Sequence, residues 1–223
     1  MSPVIQTIDL CKSYMLGKTS VAVLKDINLT VQQGDYTAIM GQSGAGKSTL
    51  LNILGCLDVP SSGQYLINGE SVSSLKQNKL AEIRSSRIGF VFQNFNLLPK
   101  LDIRKNVELP LIYANTALSE RREMVEKVMR RLGIWERRHH RPNEISGGQK
   151  QRVAIARALV KRPSIIFADE PTGNLDSHTT EEILAIFSEL NNEGNTIVVI
   201  THEHEVGERA KKLIHLEDGR ISA

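Results

Sequence analysis

Cysteine is scarce in this sequence. Only Cys11 and Cys56 occur among 223 residues, which is too few for the disulfide framework that stabilises small secreted domains. We therefore expect a protein of the reducing cytosol, with both cysteines serving as buried packing residues.

An excess of charge of one sign is also missing. Lys and Arg number 28 against 25 Asp and Glu, and a net charge of +3 is too small to indicate a nucleic-acid partner. The densest basic cluster, residues 137–141, is flanked by Glu136 and Glu144 and has no aromatic residues between its charges, so we interpret it as a solvated turn. Its neighbours His139 and His140 have no Cys or carboxylate set around them, and no metal site is expected there.

Long hydrophobic runs are absent as well. No apolar segment approaches the roughly 18 residues needed to cross a bilayer, and the longest, such as residues 197–200, have the length of buried strands. The first three residues lead directly into a strand-like run, so no secretory leader is expected. The length and an ordinary globular composition allow one large domain, or one core with an inserted subdomain. If the protein acts at a membrane, another chain must carry the spanning helices.

A phosphate-binding loop is present at residues 41–49. Gly41, four further residues, then Gly46, Lys47 and Ser48 fit its pattern. The glycines let backbone N–H groups turn inward around an anion, Lys47 adds a positive charge, and the Ser48 hydroxyl can ligate Mg²⁺. A predicted buried strand precedes the loop and a predicted helix follows it, so the helix N-terminus would face the phosphates. The alternative is an ordinary glycine turn, which would not require a buried strand before it and a helix after it.

Polar residues follow three other predicted strands. Asp169 and Glu170 come after an apolar run, Gln93 follows residues 87–92, and His202 ends the strand that begins near residue 195. An aspartate beside a phosphate loop can hold Mg²⁺ through its waters, and a neighbouring glutamate can orient and deprotonate a water. A strand-end glutamine can reach into the crevice where open α/β sheets bind ligands. Taken singly, each residue could instead be a solvated or structural side chain.

A second candidate anion site begins at Ser146-Gly147-Gly148-Gln149, a turn that opens a predicted helix. One nucleotide does not need two helix N-termini so far apart in sequence unless the fold brings them together or a second copy supplies one.

Residues 94–141 differ in character and predict a helical subdomain inserted into the nucleotide-binding core. We expect Pro110 to interrupt a helix over residues 101–113, and Ser119 to cap the next helix. Asp176 is expected to cap a later helix that ends near Gly194. The apolar stripe of the helix after Ser119 comprises Val125, Val128, Met129 and Leu132.

The chain resembles the ATP-binding subunits of ATP-binding-cassette (ABC) transporters over nearly its whole length. The ordered set that carries the resemblance is the phosphate loop, Gln93, Ser146-Gly147-Gly148-Gln149, Asp169-Glu170, Asp176 and His202. The Ser-Gly-Gly-Gln signature is specific, because other phosphate-loop ATPases lack it. Longer stretches, at residues 52–58, 88–99, 106–111 and 139–143, are similar to the MacB/LolD/FtsE subgroup and most of all to the MacB ATPase domain. Ile145 and Lys150 depart conservatively from the usual leucine and glutamine.

This resemblance implies an α/β fold, with a phosphate-loop NTPase core of mainly parallel sheet, an antiparallel β subdomain and an inserted helical subdomain. It further implies one ABC ATPase domain over residues 1–223. Residues 1–92 and 160–223 would form the core with the β subdomain, and residues 94–159 the helical subdomain that carries the signature.

The resemblance also assigns roles to residues. Glu170 would be the general base, His202 would contact the γ-phosphate, and Asp176 would link the two sites of a dimer. Mg²⁺ would be held by Ser48 and Gln93, with Asp169 behind its waters. ATP would be contacted by Gly41, Ser43, Gly44, Ala45, Gly46, Lys47, Ser48 and Thr49 of one copy and by Ser146, Gly147, Gly148 and Gln149 of the other. Tyr14 would stack on adenine, although its spacing alone favours an edge-strand tyrosine half buried against the sheet.

As partners, the resemblance implies a second copy of the chain, packed head to tail around two ATPs, and a transmembrane permease subunit with a large extracytoplasmic domain. The subunit would then lie at the cytoplasmic face of the inner membrane, and no nucleic acid is expected. Export, mechanotransmission across the envelope, lipoprotein release and cell-division regulation stay open, since the membrane partner distinguishes them. A soluble ABC ATPase acting on DNA or ribosomes would need a long coiled coil or a second cassette, and the sequence has neither.

Overall fold

The computed structural model describes residues 3–222. Its central element is a six-stranded sheet in the order β10-β9-β3-β8-β7-β6. The strands are β3 (Tyr36–Met40), β6 (Ile88–Phe92), β7 (Ile165–Asp169), β8 (Thr196–Thr201), β9 (Lys212–Glu217) and β10 (Arg220–Ser222). All are parallel except β10, which forms a hairpin with β9. Every residue of β3 and of β8 is buried, as expected for strands covered on both faces.

The register of the parallel strands brings their carboxyl ends to one edge. Met40 pairs with Thr201, and Asp169 pairs with both Ile200 and Phe92. The segments that leave β3, β6, β7 and β8 therefore begin side by side, although they lie far apart in sequence. This edge is where open α/β sheets bind their ligands.

A second, antiparallel sheet has the order β2-β1-β4-β5. It consists of β1 (Pro3–Leu16), β2 (Thr19–Gln32), β4 (Ser62–Ile67) and β5 (Glu70–Ser71). Strands β1 and β2 form a long hairpin with several register shifts, and its tip carries exposed Met15 and Leu16. The turn at its tip is short, because β1 continues to Leu16 and β2 begins at Thr19.

Seven α-helices surround the two sheets: α1 (Lys47–Leu54), α2 (Gln77–Arg87), α3 (Ile103–Tyr113), α4 (Leu118–Arg131), α5 (Gly147–Leu159), α6 (Ser177–Asn192) and α7 (His204–Glu208), counted within residues 3–222. The central sheet separates two apolar cores. In β7, Ile166 and Ala168 face the core shared with α3 to α6, whereas Ile165 and Phe167 face the core shared with α1 and the antiparallel sheet. Alternation along one strand thus ties both halves of the molecule to the central sheet.

The α/β fold class is confirmed, and several local predictions need correction. Helix α3 continues through Pro110 to Tyr113, since the proline lies close to the helix end. Ser119 does not cap α4, because the helix already begins at Leu118 with Ala117 preceding it. Cys56 is buried as expected, whereas Cys11 is only partly buried. Helix α7 was not predicted. Among the helices of residues 3–222, none combines the length and the apolar character that a membrane crossing requires.

Candidate active site

The phosphate loop connects β3 to α1 and has the backbone that its glycines permit. Gly44 and Gly46 have φ angles of 86° and 101°, in the left-handed region that strains other residues. Gly41 lies against β9, where any Cβ would overlap the carbonyl oxygen of Leu216. A Cβ on Gly46 would lie 3.0 Å from Leu24 and 3.1 Å from the Val23 carbonyl of β2. The tight fit of the loop against both sheets explains why these positions need glycine.

Lys47 is the first residue of α1, and its ammonium group folds back over the loop. It donates to the carbonyl oxygens of Gly41 at 2.6 Å and Gln42 at 3.0 Å. The positive charge is thereby held at the mouth of the loop. An anion bound at the helix N-terminus would meet both this charge and the backbone N–H groups of the first helical turn.

A cavity of about 710 Å³ opens above the loop, at the carboxyl edge of the central sheet. Its lining combines the loop with strand-end residues: Val23, Gln42, Ser43, Gly44, Gly46, Lys47, Ser48, Thr49, Gln93, Asp169, Glu170 and His202. The fold therefore brings together the four sequence segments that were predicted to meet. Val23, on β2, was not predicted, because nothing in its own neighbourhood marks it as a site residue.

The oxygen donors of Ser48, Gln93 and Asp169 all line this cavity, and they are the ligand type that Mg²⁺ prefers. Burial and the neighbouring charge of Glu170 raise the pKa of Asp169, while the nearby Lys47 ammonium opposes this rise. A carboxylate in such a position gains from a divalent cation, because the cation offsets the cost of burying its charge. The residues present thus fit a magnesium ion.

Glu170 follows β7 with a φ of 44°, an uncommon conformation for a residue other than glycine. Its carboxylate accepts a hydrogen bond from the Thr201 hydroxyl at 3.0 Å, and its other oxygen lies 2.7 Å from Nδ1 of His202. Its backbone N–H donates to the carbonyl oxygen of Ile200 at 2.9 Å. The proposed base is consequently fixed to the end of β8 through both main chain and side chain.

Two residues next to this base were missed by the sequence prediction. Thr201 bonds Glu170 directly, and Glu203 accepts a hydrogen bond from Thr172 at 2.9 Å. Glu170, His202 and Glu203 also bring potential metal ligands within 4.8 Å of one another. Both carboxylates already accept hydrogen bonds from protein groups, so a hydrogen-bond network accounts for the cluster. In the sequence, the only indication that Thr201 belongs to the site was its position next to His202 at the end of a predicted strand.

Gln93 leaves β6 and contacts the segment that follows Glu170. A Cβ on Gly173 would lie 2.6 Å from Nε2 of Gln93, so the glutamine amide occupies the space that a larger residue would fill. The Asn174 side chain donates to the Gln93 carbonyl at 3.0 Å and to Oδ1 of Asn94 at 3.1 Å. The glutamine is therefore held against the turn that carries Asp176.

The signature turn lies elsewhere. Ser146 caps α5 by accepting from the Gln149 N–H at 3.3 Å, and the Gln149 side chain accepts from the Ser146 N–H at 3.1 Å. Gly148 approaches Thr179, so closely that a Cβ would overlap the threonine methyl group, and Gly147 lies beside Leu175. Asp176 caps α6 by accepting from the Thr179 N–H at 2.9 Å. Within residues 3–222, none of Ser146, Gly147, Gly148, Gln149 or Asp176 lines the cavity of the same chain.

Tyr14 also lies outside the cavity lining but borders the phosphate loop. Its hydroxyl donates to Asp58 at 2.8 Å. The ammonium of Lys12 sits 4.7 Å from the ring centroid and forms an ion pair with Asp58 at 2.8 Å. Asp58 was not predicted as part of this group. Lys12 covers one face of the ring. Tyr14 as a whole residue is 38 % exposed, which leaves surface for a planar ligand.

Comparison with known proteins agrees with this geometry. A sequence model of the family described as "ABC transporter" matches residues 24–173. An uncharacterized ABC transporter ATP-binding protein of Bacillus subtilis, YknY, is 52 % identical over 217 residues, covering 97 % of this chain and 94 % of the relative. The macrolide export ATP-binding/permease protein MacB of Bdellovibrio bacteriovorus is 53 % identical over 212 residues, covering 95 % of this chain but 32 % of MacB. The chain thus spans nearly all of the first relative and about a third of the second.

Among solved structures, a dimeric post-hydrolysis state of the ATP-binding cassette MJ0796, bound to ADP and Pi, superposes with a TM-score of 0.90. It is 42 % identical in sequence, and the match covers 98 % of this chain and 97 % of that one. The family match, the sequence identity to a relative of similar length and the shared fold all indicate the same family. The chain belongs to the ABC transporter family, as an ATP-binding subunit that hydrolyses ATP with Mg²⁺.

Proposed function

We propose that the chain is the ATPase subunit of a MacB-like ABC transporter, which dimerises around two ATPs and drives a membrane permease in export or mechanotransmission across the cell envelope. The observation that carries the proposal is the separation of the two anion sites. The phosphate loop faces the cavity, whereas the Ser146–Gln149 turn, with its capped helix N-terminus, does not contribute to it. A second copy packed head to tail supplies the missing half.

Within each composite site, the residues act mainly by positioning and by charge stabilisation. Lys47 and the N-terminus of α1 bind the outer phosphates, and Ser146, Gly147 and Gly148 of the second copy close on the γ-phosphate. Ser48, Gln93 and Asp169 hold Mg²⁺, which supplies further positive charge to the phosphoryl oxygens. Glu170 orients the attacking water and accepts its proton, with His202 held beside it. Tyr14 stacks on adenine with its uncovered face.

A mixing experiment tests the composite site. Lys47→Ala copies and Ser146→Arg copies are each expected to lose ATP turnover as homodimers. A mixed dimer contains one intact site, formed by the loop of one variant and the signature of the other, and is expected to retain labelled ATP and to recover part of the turnover. Absence of recovery, with both variants folded and dimerising, would show that each copy forms its site alone.

The partner-binding surface is assigned to a groove of about 1170 Å³ between α2, β6, α3 and α5. Phe90, Phe92 and Pro110 give it an apolar floor, and exposed Tyr113 lies at its rim. Arg84 and Arg157 at its rim donate to backbone carbonyls, as does Lys161, and none of the three has a carboxylate partner within residues 3–222. An apolar cytoplasmic segment of the permease that carries acidic residues would match this groove. The protein then lies at the cytoplasmic face of the inner membrane through its partner.

Recovery from membranes tests the partner. Tyr113, which is exposed at the rim of the groove, is expected to be dispensable for ATP hydrolysis by the isolated cassette. Tyr113→Glu should therefore preserve that turnover while releasing the subunit from membranes, because the added carboxylate repels the acidic residues of the segment. Mass spectrometry of the chain bound to the unsubstituted protein identifies the permease. A bound permease with a large extracytoplasmic domain supports the MacB-like assignment, and recovery only with nucleic acid contradicts it.

A further inference from the structure

Thr201 ends strand β8, directly beneath the proposed base. The residue is fully buried, with 0 % of its surface exposed. Its hydroxyl oxygen lies 3.0 Å from Oε2 of Glu170 and also 3.0 Å from the backbone nitrogen of Glu203. Thr201 therefore differs from an ordinary β-branched core residue, because its buried hydroxyl forms hydrogen bonds with two polar groups.

The two hydrogen bonds fix the direction in which the hydroxyl proton points. A hydroxyl has one proton to donate and lone pairs to accept with. The Glu203 N–H can only donate, so it occupies a lone pair of the Thr201 oxygen. The Glu170 carboxylate can only accept, so the proton is directed at Oε2. Thr201 is therefore a committed donor to Glu170 and does not rotate between partners.

Glu170 needs such an anchor, because a glutamate side chain has several rotatable bonds and loses conformational entropy when it is held in one position. Oε2 accepts from the Thr201 hydroxyl at 3.0 Å and from the His202 backbone N–H at a longer 3.4 Å, and the His202 ring lies 2.7 Å from Oε1. The His202 side chain is 63 % exposed, whereas that of Glu170 is 14 % exposed. The buried threonine is consequently the rigid member of the pair, and the histidine is the member that faces solvent.

The anchor extends to the turn after the base. Glu203 accepts a hydrogen bond from Thr172 at 2.9 Å, and Thr172 is itself buried. The Gly173 N–H donates to the Glu170 carbonyl at 3.2 Å, which holds the backbone in its left-handed conformation. Thr201 thus occupies the centre of a closed set of contacts between the end of β8 and the turn that leads to Asp176.

We propose that Thr201 is a positioning residue for ATP hydrolysis, which orients the carboxylate of Glu170 through its committed hydroxyl proton. The proposal rests on the proposed role of Glu170 as the base. Thr201 does not line the cavity, so its effect reaches the reaction only through Glu170. Loss of the hydroxyl is expected to lower kcat by about 10- to 100-fold, the effect of misplacing a reacting group, and to leave ATP affinity unchanged.

The test compares Thr201→Val, which keeps the shape and removes the hydroxyl, with Thr201→Ser, which keeps the hydroxyl. Thr196→Val is the matched control, because Thr196 is a fully buried threonine on the same strand whose hydroxyl oxygen accepts from the Gly34 N–H at 3.0 Å. Thr201→Val loses both hydrogen bonds of its hydroxyl and Thr196→Val loses one, and both leave a backbone N–H without its acceptor, but only Thr201→Val removes a donor to the base. We expect low kcat in Thr201→Val, rescue in Thr201→Ser and normal kcat in Thr196→Val. Thr201→Cys, with a weaker donor, replaces the valine variant if that one does not fold.

The Glu170→Gln background separates this proposal from the assignment of the base. Single-turnover measurements should show that Thr201→Val slows hydrolysis in the parent protein and has no further effect when Glu170 is already replaced. If Glu170→Gln itself keeps full turnover, the base assignment fails. If Glu170→Gln is slow but Thr201→Val is as active as the parent, or weakens ATP binding instead, the positioning role of Thr201 is overturned and the base assignment remains.

Discussion

The ammonium group of Lys47 lies 2.6 Å from the carbonyl oxygen of Gly41, so the cation of the phosphate loop is bound by the loop itself. This contact preorganises a positive charge where an anion is to bind. Lys47→Ala is expected to weaken ATP binding by about 100-fold, because a charge-assisted hydrogen bond to phosphate contributes about 2 to 3 kcal/mol. Isothermal titration calorimetry with the purified subunit measures the change.

Lys47→Arg should rescue little of this loss, since the broader guanidinium does not fit the position of a compact ammonium group. Lys105→Ala is a suitable control, because that lysine is exposed on α3 and its ammonium group pairs with Asp102 at 3.7 Å. Equal ATP affinity in Lys47→Ala and in the parent protein would contradict the assignment of the loop.

Asp169 should make stability fall as the pH rises. Burial and the charge of Glu170 raise the pKa of Asp169 above its ordinary value of 3.8. Between these two pKa values the folded chain binds more protons than the unfolded chain, so the free energy of unfolding decreases through that window. Asp169→Asn is expected to flatten this decrease, as measured by urea denaturation without nucleotide or Mg²⁺ from pH ~4 to pH ~7.

Asp176 provides the contrast of opposite sign. Its hydrogen bonds from the Thr179 backbone and side chain lower the pKa of Asp176, so the stability that it contributes is present above the ordinary pKa and is lost as the pH falls through the lowered one. In urea denaturation, Asp169→Asn should therefore alter the pH profile above the ordinary aspartate pKa of 3.8, and Asp176→Asn should alter it below that value. Parallel profiles for Asp169→Asn and the parent would show that the carboxyl is not perturbed in the folded chain.

Gly173 is expected to control the position of Gln93. Gly173→Ala would place a methyl group 2.6 Å from the Gln93 amide nitrogen, and the end of a flexible side chain can move away at little cost in stability. ATP turnover should fall by about 10-fold through displacement of this group, with a nearly unchanged melting temperature. In a Gln93→Ala background the same substitution should have no further effect, and an additional loss there would place the effect of Gly173 elsewhere.

Replacement of Thr37 on β3 by valine should stabilise the folded protein. Its hydroxyl is fully buried, and no hydrogen-bond partner for it lies within residues 3–222. Thr37→Val removes this unsatisfied group at nearly constant shape and should raise the free energy of unfolding by about 1 kcal/mol. Thr196→Val should lower it by a similar amount, because there the hydroxyl oxygen accepts a hydrogen bond. Urea denaturation distinguishes the two, and a loss of stability in Thr37→Val would contradict the expectation.

The strands of the central sheet could be predicted from the sequence, because β3, β7 and β8 are short apolar runs bounded by turn residues. The helix cap Asp176 was likewise predicted, since a cap is a local arrangement of side chain and backbone, and so was the helix that the Ser146 turn opens. The prediction that Ser119 caps α4 was wrong. Several residues near the start of this helix could precede its first turn, and the residue that does so is Ala117.

Two contacts between distant segments, those of Asp58 and of Thr201, could not be predicted. Tyr14 meets Asp58 across 44 positions, and Thr201 meets Glu170 across 31. No pattern around Asp58 or Thr201 distinguishes them from ordinary polar residues, because their importance depends on strand register and on which edge the chain ends face. The carboxylates and glycines were found because the chemistry of phosphate binding restricts their type and spacing.

The alternation of β7 between the two apolar cores has a consequence for amide hydrogen exchange. Ile165, Ile166, Phe167 and Ala168 are covered on both faces and paired with β6 and β8 on both sides. Their amides should exchange only on global unfolding, whereas those near exposed Met15 and Leu16 should exchange first. Asp169 and Glu170 thus lie at the end of the strand whose amides are protected longest. Local opening of the site must therefore come from the loops that face these carboxylates.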